Sequence, residues 1–374
     1  MNSAGCNKSG LDIIKIFFTI RCNFRCDYCF VHLADEVMDP KTLDKILAWG
    51  IKNNVKTIAL TGGEPTSSFD LIVRAVKFMK KNYSNPDFKF ASMPTNGSLL
   101  TNEKIHLAKF LGLNFTFSLD GFDFESNKCR NHNQIAYEKI LDNLHCYRKV
   151  YGAPPKINMT ISQENAHLLH KNTLDLIKQG FTRIYLCPVF GQPWADSNTG
   201  KFIESFEKLL AAHKRLRGKI KNIRIDPIDL HREKIKQRDY AGITQSLCDM
   251  GSKVAFNVKG EAYACLTTLQ LKGSHPLKAE YCLGSIHAGI DLDKMKKFKD
   301  YRIGSEFPVT CKYDFPNITC RKVCATINVK TGERLKTREI ENIMKIEHTM
   351  FQRTYETYFT KALVKGVPQL VENN

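Results

Sequence analysis

Apolar residues recur with two different periods along the first half of the chain. Short runs at 12–20, 55–61, 88–94, 114–119, 156–162 and 182–189 are dominated by Ile, Val, Leu, Phe and Met and read as strands. Between them, 40–53, 69–82, 101–111, 134–150 and 165–179 space their apolar residues at the three-to-four interval of an amphipathic helix. Strands alternating with helices predict an α/β fold with a parallel sheet and its helices packed outside. Right-handed crossovers curl such a sheet toward a partial barrel of six β/α units. In that architecture chemistry gathers at the C-terminal ends of the strands.

The alternation stops near residue 190. Residues 191–247 read as a connector with an amphipathic helix from Phe202 to Leu216 and a basic stretch from Lys214 to Arg238, with His213 and His231 as surface residues. Val254 to Ala264 reads as a β-hairpin turning at Lys259-Gly260. From Thr331 to Val364 the pattern is helical, with Ile340, Ile343, Met344, Ile346, Met350 and Phe351 on the face that packs back on the body. The expected organisation is a partial barrel over 1–190, a connector over 191–247, a small cysteine-rich β-hairpin/α unit over 248–330, and a C-terminal helix and tail over 331–374.

Composition narrows the class. The chain has 374 residues, 43% of them hydrophobic, which is ample for a large core. No apolar run approaches ~18 residues, so no membrane span is expected. The first residues lack the charged and apolar regions of a secretory signal. Thirteen cysteines in such a chain point to metal or redox work in a reducing cytoplasm. The net charge of +18 is spread over many helical faces, which reads as a solvated lysine-rich surface, with an acidic partner as the alternative. Nucleic-acid signatures such as the RNP boxes are absent.

The chemistry starts directly after the first strand, where Cys22, Cys26 and Cys29 are spaced C-x3-C-x2-C. Thiolates are the usual ligands of a [4Fe-4S] cube, and three of them leave one iron open for a small chelating molecule. A structural zinc knuckle is the bland alternative, but it gathers four ligands in pairs. Past the second strand, Thr61-Gly62-Gly63-Glu64-Pro65 combines two residues that permit close backbone approach with a carboxylate able to accept from an ammonium. Pro94-Thr95-Asn96-Gly97 and Ser118-Leu119-Asp120-Gly121 follow the third and fourth strands and are ordinary turn sequences on their own. Cys6, Cys129, Cys146 and Cys187 read as small core residues, Cys187 with the barrel mouth as an alternative.

Together these motifs resemble the signature of the radical S-adenosylmethionine (SAM) superfamily. The resemblance implies that SAM chelates the open iron and is cleaved by one electron to a 5′-deoxyadenosyl radical that abstracts hydrogen. It implies that Tyr28 packs near the adenine, that Gly62, Gly63 and Glu64 grip the amino group, and that Asn96, Ser118 and Asp120 line the SAM pocket. It also implies an electron donor such as flavodoxin or ferredoxin.

Cysteines return at 248, 265, 282, 311, 320 and 324. Cys248, Gly260 and Cys265 resemble the opening of the SPASM extension, an auxiliary-cluster domain of peptide-modifying radical SAM enzymes. There the inner cluster takes Cys248, Cys265 and Cys324, with Cys282 as a candidate fourth ligand. The outer site has only Cys311, Asp314 and Cys320, since Asp314 replaces a thiolate and no cysteine follows 324. Three readings stay open: one complete and one ligand-poor auxiliary cluster, a single auxiliary cluster, or a zinc-bound remnant. The implied function is oxidative modification, foremost cross-linking, of a ribosomally made peptide. The alternatives are formylglycine formation in sulfatases, haem or cofactor biosynthesis, and a non-catalytic iron–sulfur or zinc protein that regulates nucleic acid. Formylglycine-forming enzymes carry an aspartate where this chain has Leu266.

Overall fold

The computed structural model describes residues 10–236, 251–271, 273–298 and 327–358. Its framework is a run of parallel strands: β1 (Ile13–Thr19), β2 (Thr57–Gly62), β3 (Lys89–Phe90), β4 (Met93–Thr95), β5 (Phe115–Ser118), β6 (Lys156–Ile161) and β7 (Arg183–Pro188). α1 (Pro40–Lys52), α2 (Phe69–Asn82), α3 (Asn102–Leu111), α4 (Gln134–Tyr151) and α5 (Leu169–Lys178) fill the crossovers, as the periodicity predicts. Helix starts are set by short polar side chains: Asp39 accepts from the Thr42 amide at 3.0 Å, with Pro40 in the first turn.

The third predicted strand is broken. β3 pairs with β2 and β4 pairs with β5, while Ala91-Ser92 belongs to neither ladder. The described strands therefore form two sheets and do not close into a barrel. Along β6 and β7, Ile157, Met159, Ile161, Ile184 and Leu186 are buried in one core with Leu176 and Phe181. Their alternates Asn158, Thr160, Tyr185 and Cys187 stand on the opposite, concave face, because side chains alternate across a strand.

The supposed connector adds to this sheet. After α6 (Asp196–Leu216) come β8 (Arg224–Asp226), parallel to β7, and α7 (Ile228–Lys236). A three-residue strand is too short to show a period, which is why the sequence pattern hides it. The expected hairpin is present as β9 (Lys253–Phe256) and β10 (Glu261–Tyr263), turning at Gly260 with φ of +79°. β9 pairs parallel with β1, from Ile13↔Lys253 to Ile16↔Phe256. The hairpin, β11 (Cys282–Ser285) and β12 (Gly289–Ile290) thus extend the sheet from the free edge of β1.

The C-terminal helix Thr337–Tyr358 buries Ile340, Ile343, Ile346 and Met350 against the body, as expected. It also corrects the surface assignment of two histidines. His213 is fully buried, with Nδ1 2.7 Å from the Tyr358 hydroxyl and Nε2 3.0 Å from Asp229, and His231 is buried as well. The returning helix covers His213 with Tyr358. No helix among the described residues is long and apolar enough to cross a membrane.

Phe256 ties the hairpin to the body: it is fully buried and meets the Trp49 ring edge-on at 5.6 Å. Phe256→Ala is expected to remove about 3–5 kcal/mol of stability, read as a lowered thermal midpoint beside wild type.

Candidate active site

β1 ends at the buried Thr19, whose hydroxyl accepts from the Arg21 amide at 3.1 Å and turns the chain into the cysteine loop. Phe24 anchors that loop in the core, against His132 at 5.1 Å. Cys22, Cys26 and Cys29 are each half-buried. The Cys22 sulfur accepts from the Phe24 amide at 3.4 Å, and the Cys29 amide donates to the Cys26 carbonyl at 3.0 Å. The Cys26 and Cys29 thiols donate to the carbonyls of Arg130 and Val31 at 3.6 and 3.9 Å. Among the described residues no three His, Cys, Asp or Glu side chains converge as a metal site, so these thiols share a loop without meeting at a point. Burial pushes Cys22 up to about 11 and Cys26 up to about 12, and raises Cys29. The donor set of three thiols within one short, pinned and partly open loop fits a cluster with three protein ligands. Loading it would release the thiol protons.

Gly62 and Gly63 press directly on this loop. A Cβ on Gly62 would lie 2.2 Å from the Thr19 carbonyl oxygen, and one on Gly63 would lie 2.3 Å from the Arg21 oxygen and 3.1 Å from Cys22 Cβ. The amides of Gly63 and Glu64 donate to those same two carbonyls at 3.0 and 2.7 Å. Only glycine permits this approach.

Glu64 is held by its own neighbours. Its carboxylate is buried and accepts from the Thr66 amide, the Thr66 and Thr95 hydroxyls and the Asn96 amide at 3.0, 2.6, 2.7 and 2.7 Å. Burial raises its pKa, and the four donors oppose that rise. Three of these donors meet Oε1 and one meets Oε2, and the Gly63 and Glu64 amides are what this segment bonds to the cysteine loop. Asn96 is likewise a brace. Its Nδ2 donates to Asn23 Oδ1 at 2.9 Å, and Asn23 Nδ2 donates to the Ser98 hydroxyl at 2.8 Å, tying the third loop to the cysteine loop.

Asp120, expected to contact SAM, is also buried and turned inward. It accepts from the Tyr28 hydroxyl at 2.5 Å, Arg130 Nη2 at 2.6 Å and the Thr160 amide at 2.9 Å. The Arg130 guanidinium lies 5.6 Å from the Tyr28 ring centre, and its Nε is buried without a hydrogen-bond partner. Ser118 is half-buried at the end of β5, on the face opposite Phe117. Arg130, Asn23 and Thr95 escaped the sequence reading. Arg130 closes a 3₁₀ turn, Glu125–Arg130, whose sequence has no period to announce a buried charge.

In the second cysteine region, Cys265 is buried just after β10, and Cys282 opens β11 opposite Tyr263. Leu266, Cys282 and Val31 pack around Phe17, Ala255, Tyr263 and Leu269. Gln270 accepts from the His32 amide at 3.4 Å, and Lys330 donates to the Asp27 carbonyl. This region therefore abuts the cysteine loop. Cys6, Cys248, Cys311, Asp314, Cys320 and Cys324 lie outside the described residues. Cys129, Cys146 and Cys187 are half-buried rather than core residues, Cys187 because its position on β7 faces the concave side. A groove lined by Asp44, Arg74, Lys77 and Phe78 lies between α1 and α2 and includes none of these side chains.

Arg130→Met would strand the buried Asp120 charge and is expected to cost about 3–5 kcal/mol, read as a lower thermal midpoint. In metal-free protein, burial keeps Cys22 and Cys26 protonated near neutrality. Their alkylation by iodoacetamide should be slow at about pH 8 and accelerate as pH rises toward about 11 and about 12, followed by mass spectrometry.

Residues 16–186 match the Radical SAM superfamily. An uncharacterized protein of Methanocaldococcus jannaschii is 27% identical over 289 residues, covering 76% of this chain and 90% of that protein. The GTP 3′,8-cyclase of Staphylococcus carnosus is 30% identical over 162 residues, 40% of this chain, and the chain spans only 46% of the cyclase's length. Among solved structures, anSMEcpe with bound AdoMet has a TM-score of 0.69 at 17% identity, covering 92% of this chain and 98% of that one. SuiB of Streptococcus suis bound to S-adenosylmethionine has a TM-score of 0.57 at 14% identity, covering 84% and 73%. At such identities the structural likeness speaks for the fold. The sequence match, just under half of the chain, lies on the very strands and loops that carry the three cysteines and the paired glycines.

Proposed function

We propose that this protein is a radical SAM enzyme that oxidatively modifies a ribosomally made peptide, forming a cross-link. The observation that carries the reading is the junction between the two cysteine regions. Removing a second electron from a substrate radical needs an acceptor nearby, and Cys282 packs on the same small cluster, Phe17, Ala255, Tyr263 and Leu269, as Val31, two residues beyond Cys29. The fold shared with anSMEcpe extends through this second region, and anSMEcpe is known with bound AdoMet and the Cp18Cys peptide. The GTP cyclases align with only part of the chain.

A [4Fe-4S] cluster with SAM supplies reductive sulfonium cleavage and hydrogen abstraction. Cys22, Cys26 and Cys29 would hold the cluster. The backbone of Gly62 and Gly63, the Ser118 hydroxyl and the spare Nε–H of Arg130 would receive SAM, beside the Tyr28 ring. The glutamate and Asp120 act through the loops they brace. Cys248, Cys265, Cys282 and Cys324 would ligate an auxiliary cluster, with Cys311, Asp314 and Cys320 left for an outer site. A flavodoxin or ferredoxin would deliver the electron. Formylglycine formation is the weaker reading, because Leu266 is packed in an apolar cluster and offers no base.

Two measurements test this. Reconstituted protein is expected to hold about 8 irons per chain, with at least ~4 surviving in a Cys22/Cys26/Cys29→Ala variant. Near-complete loss of iron in that variant would remove the auxiliary acceptor. With SAM and dithionite, 5′-deoxyadenosine should rise on adding peptide pools and not on adding GTP, and Cys26→Ala should abolish it. Stimulation by GTP alone would overturn the peptide reading.

A further inference from the structure

Of the six strands from β3 to β8, four begin with a cation: Lys89 in β3, Lys156 in β6, Arg183 in β7 and Arg224 in β8. In the last three, the next residue is a buried isoleucine, Ile157, Ile184 or Ile225, set in the same core as Leu176, Phe181 and Phe206. Alternation therefore turns Lys156, Arg183 and Arg224 to the concave face. Arg183 and Arg224 are register partners, and so are Tyr185 and Asp226 two positions on. Tyr185 is 43% exposed there, although it is a large aromatic. A closed barrel fills this face with layers of branched apolar side chains. Here Thr116, Ser118, Asn158 and Thr160 occupy it, each half-buried, so this face is polar and partly exposed.

The charges at this rim do not balance. Arg224 is paired, with Asp226 at 2.9 Å and Glu233 at 2.5 Å. Among the described residues, Lys89, Lys156 and Arg183 have no ion-paired acid. Lys156 is held below the usual lysine range by burial and by the nearby Arg183, Arg224 and Lys89 charges, with Asp226 alone opposing. One side of Asp226, Oδ1, is itself buried without a hydrogen-bond partner. Like charges gathered on one open face attract an anion.

We propose that the N-terminal rim of the open barrel, built by Lys89, Lys156, Arg183 and Arg224, is a subsite for the carboxylates of an acidic peptide segment. The proposal rests on the peptide reading above and names the kind of peptide. It also sets a spacing. From Arg183 to Cys187, β7 rises about 13 Å, at ~3.3 Å per residue, toward the strand ends where the cysteine loop lies. An extended peptide threading the concave face rises at the same rate, so its acidic residues fall about four positions from the residue that reacts.

The test uses full-length reconstituted enzyme and short fluorescent peptides carrying a Glu-Glu pair four positions from a central cysteine, with Gln-Gln and Lys-Lys versions as partners. Anisotropy should show the Glu peptide binding about tenfold tighter than the Gln peptide at low salt, a preference that fades at high salt. Lys156→Gln/Arg183→Gln should erase the preference with an unchanged thermal midpoint. Lys156→Glu/Arg183→Glu should transfer it to the Lys peptide, a gain that misfolding cannot produce. Equal binding of Glu and Gln peptides, or a Glu preference that survives both double variants, overturns the subsite. Cation-dependent binding of GTP with no response to the Glu peptide also overturns it. Deoxyadenosine formation separates the two claims: stimulation by peptides irrespective of charge leaves the peptide reading standing and removes only this subsite.

Discussion

Two buried carboxylates, Asp120 and Glu64, hold the cysteine loop in place. Desolvating a carboxylate costs several kcal/mol unless its oxygens are filled with donors. Each of these draws donors from separate segments: Asp120 from Tyr28 in the loop, Arg130 in the 3₁₀ turn and Thr160 in β6, and Glu64 from its own turn and the Thr95–Asn96 segment. Moving any one segment would strand a charge in the core. The loop that carries three thiols is therefore positioned by strands far from it in sequence, and the glycines beside it exist to let the backbone close onto it.

The same sheet that positions the loop also recruits the second cysteine region. β1 has two free edges: β2 takes one, and β9 takes the other in parallel register. The strand that ends in the cysteine loop is thereby central to its sheet rather than at an edge. Pairing satisfies its backbone donors and acceptors and gathers Cys282, Leu266 and Val31 around one small cluster, Phe17, Ala255, Tyr263 and Leu269. A domain appended by a linker would have no reason to hold that distance. Here the ladder sets it.

What was legible in advance follows the range over which each signal acts. The six-strand, five-helix alternation was readable because burial on one face repeats within each element, and its helix limits fell within a few residues of those observed. β8 was not readable, since three residues carry no period, nor was the break at Ala91-Ser92, where backbone pairing changes partner without a change in hydropathy. His213 and His231 looked like surface residues in a basic stretch. Both are buried, His213 against Tyr358 of the C-terminal helix, which folds back from well over a hundred residues away.

The site divides along the same line. Sequence by itself determined the donor chemistry: three thiols at a spacing that suits a cluster, and paired glycines after the second strand. These are properties of a few consecutive residues, so a linear string contains them. Tertiary structure alone decided which polar groups brace the walls of these loops. Glu64, Asn96 and Asp120 sit in the right loops, yet they accept or exchange hydrogen bonds with Thr95, Asn23, Tyr28 and Arg130, because a buried polar atom takes the partners that packing places beside it. The cations that open β6, β7 and β8 look like ordinary strand ends in the sequence. They become one charged face only when parallel pairing sets their strands side by side.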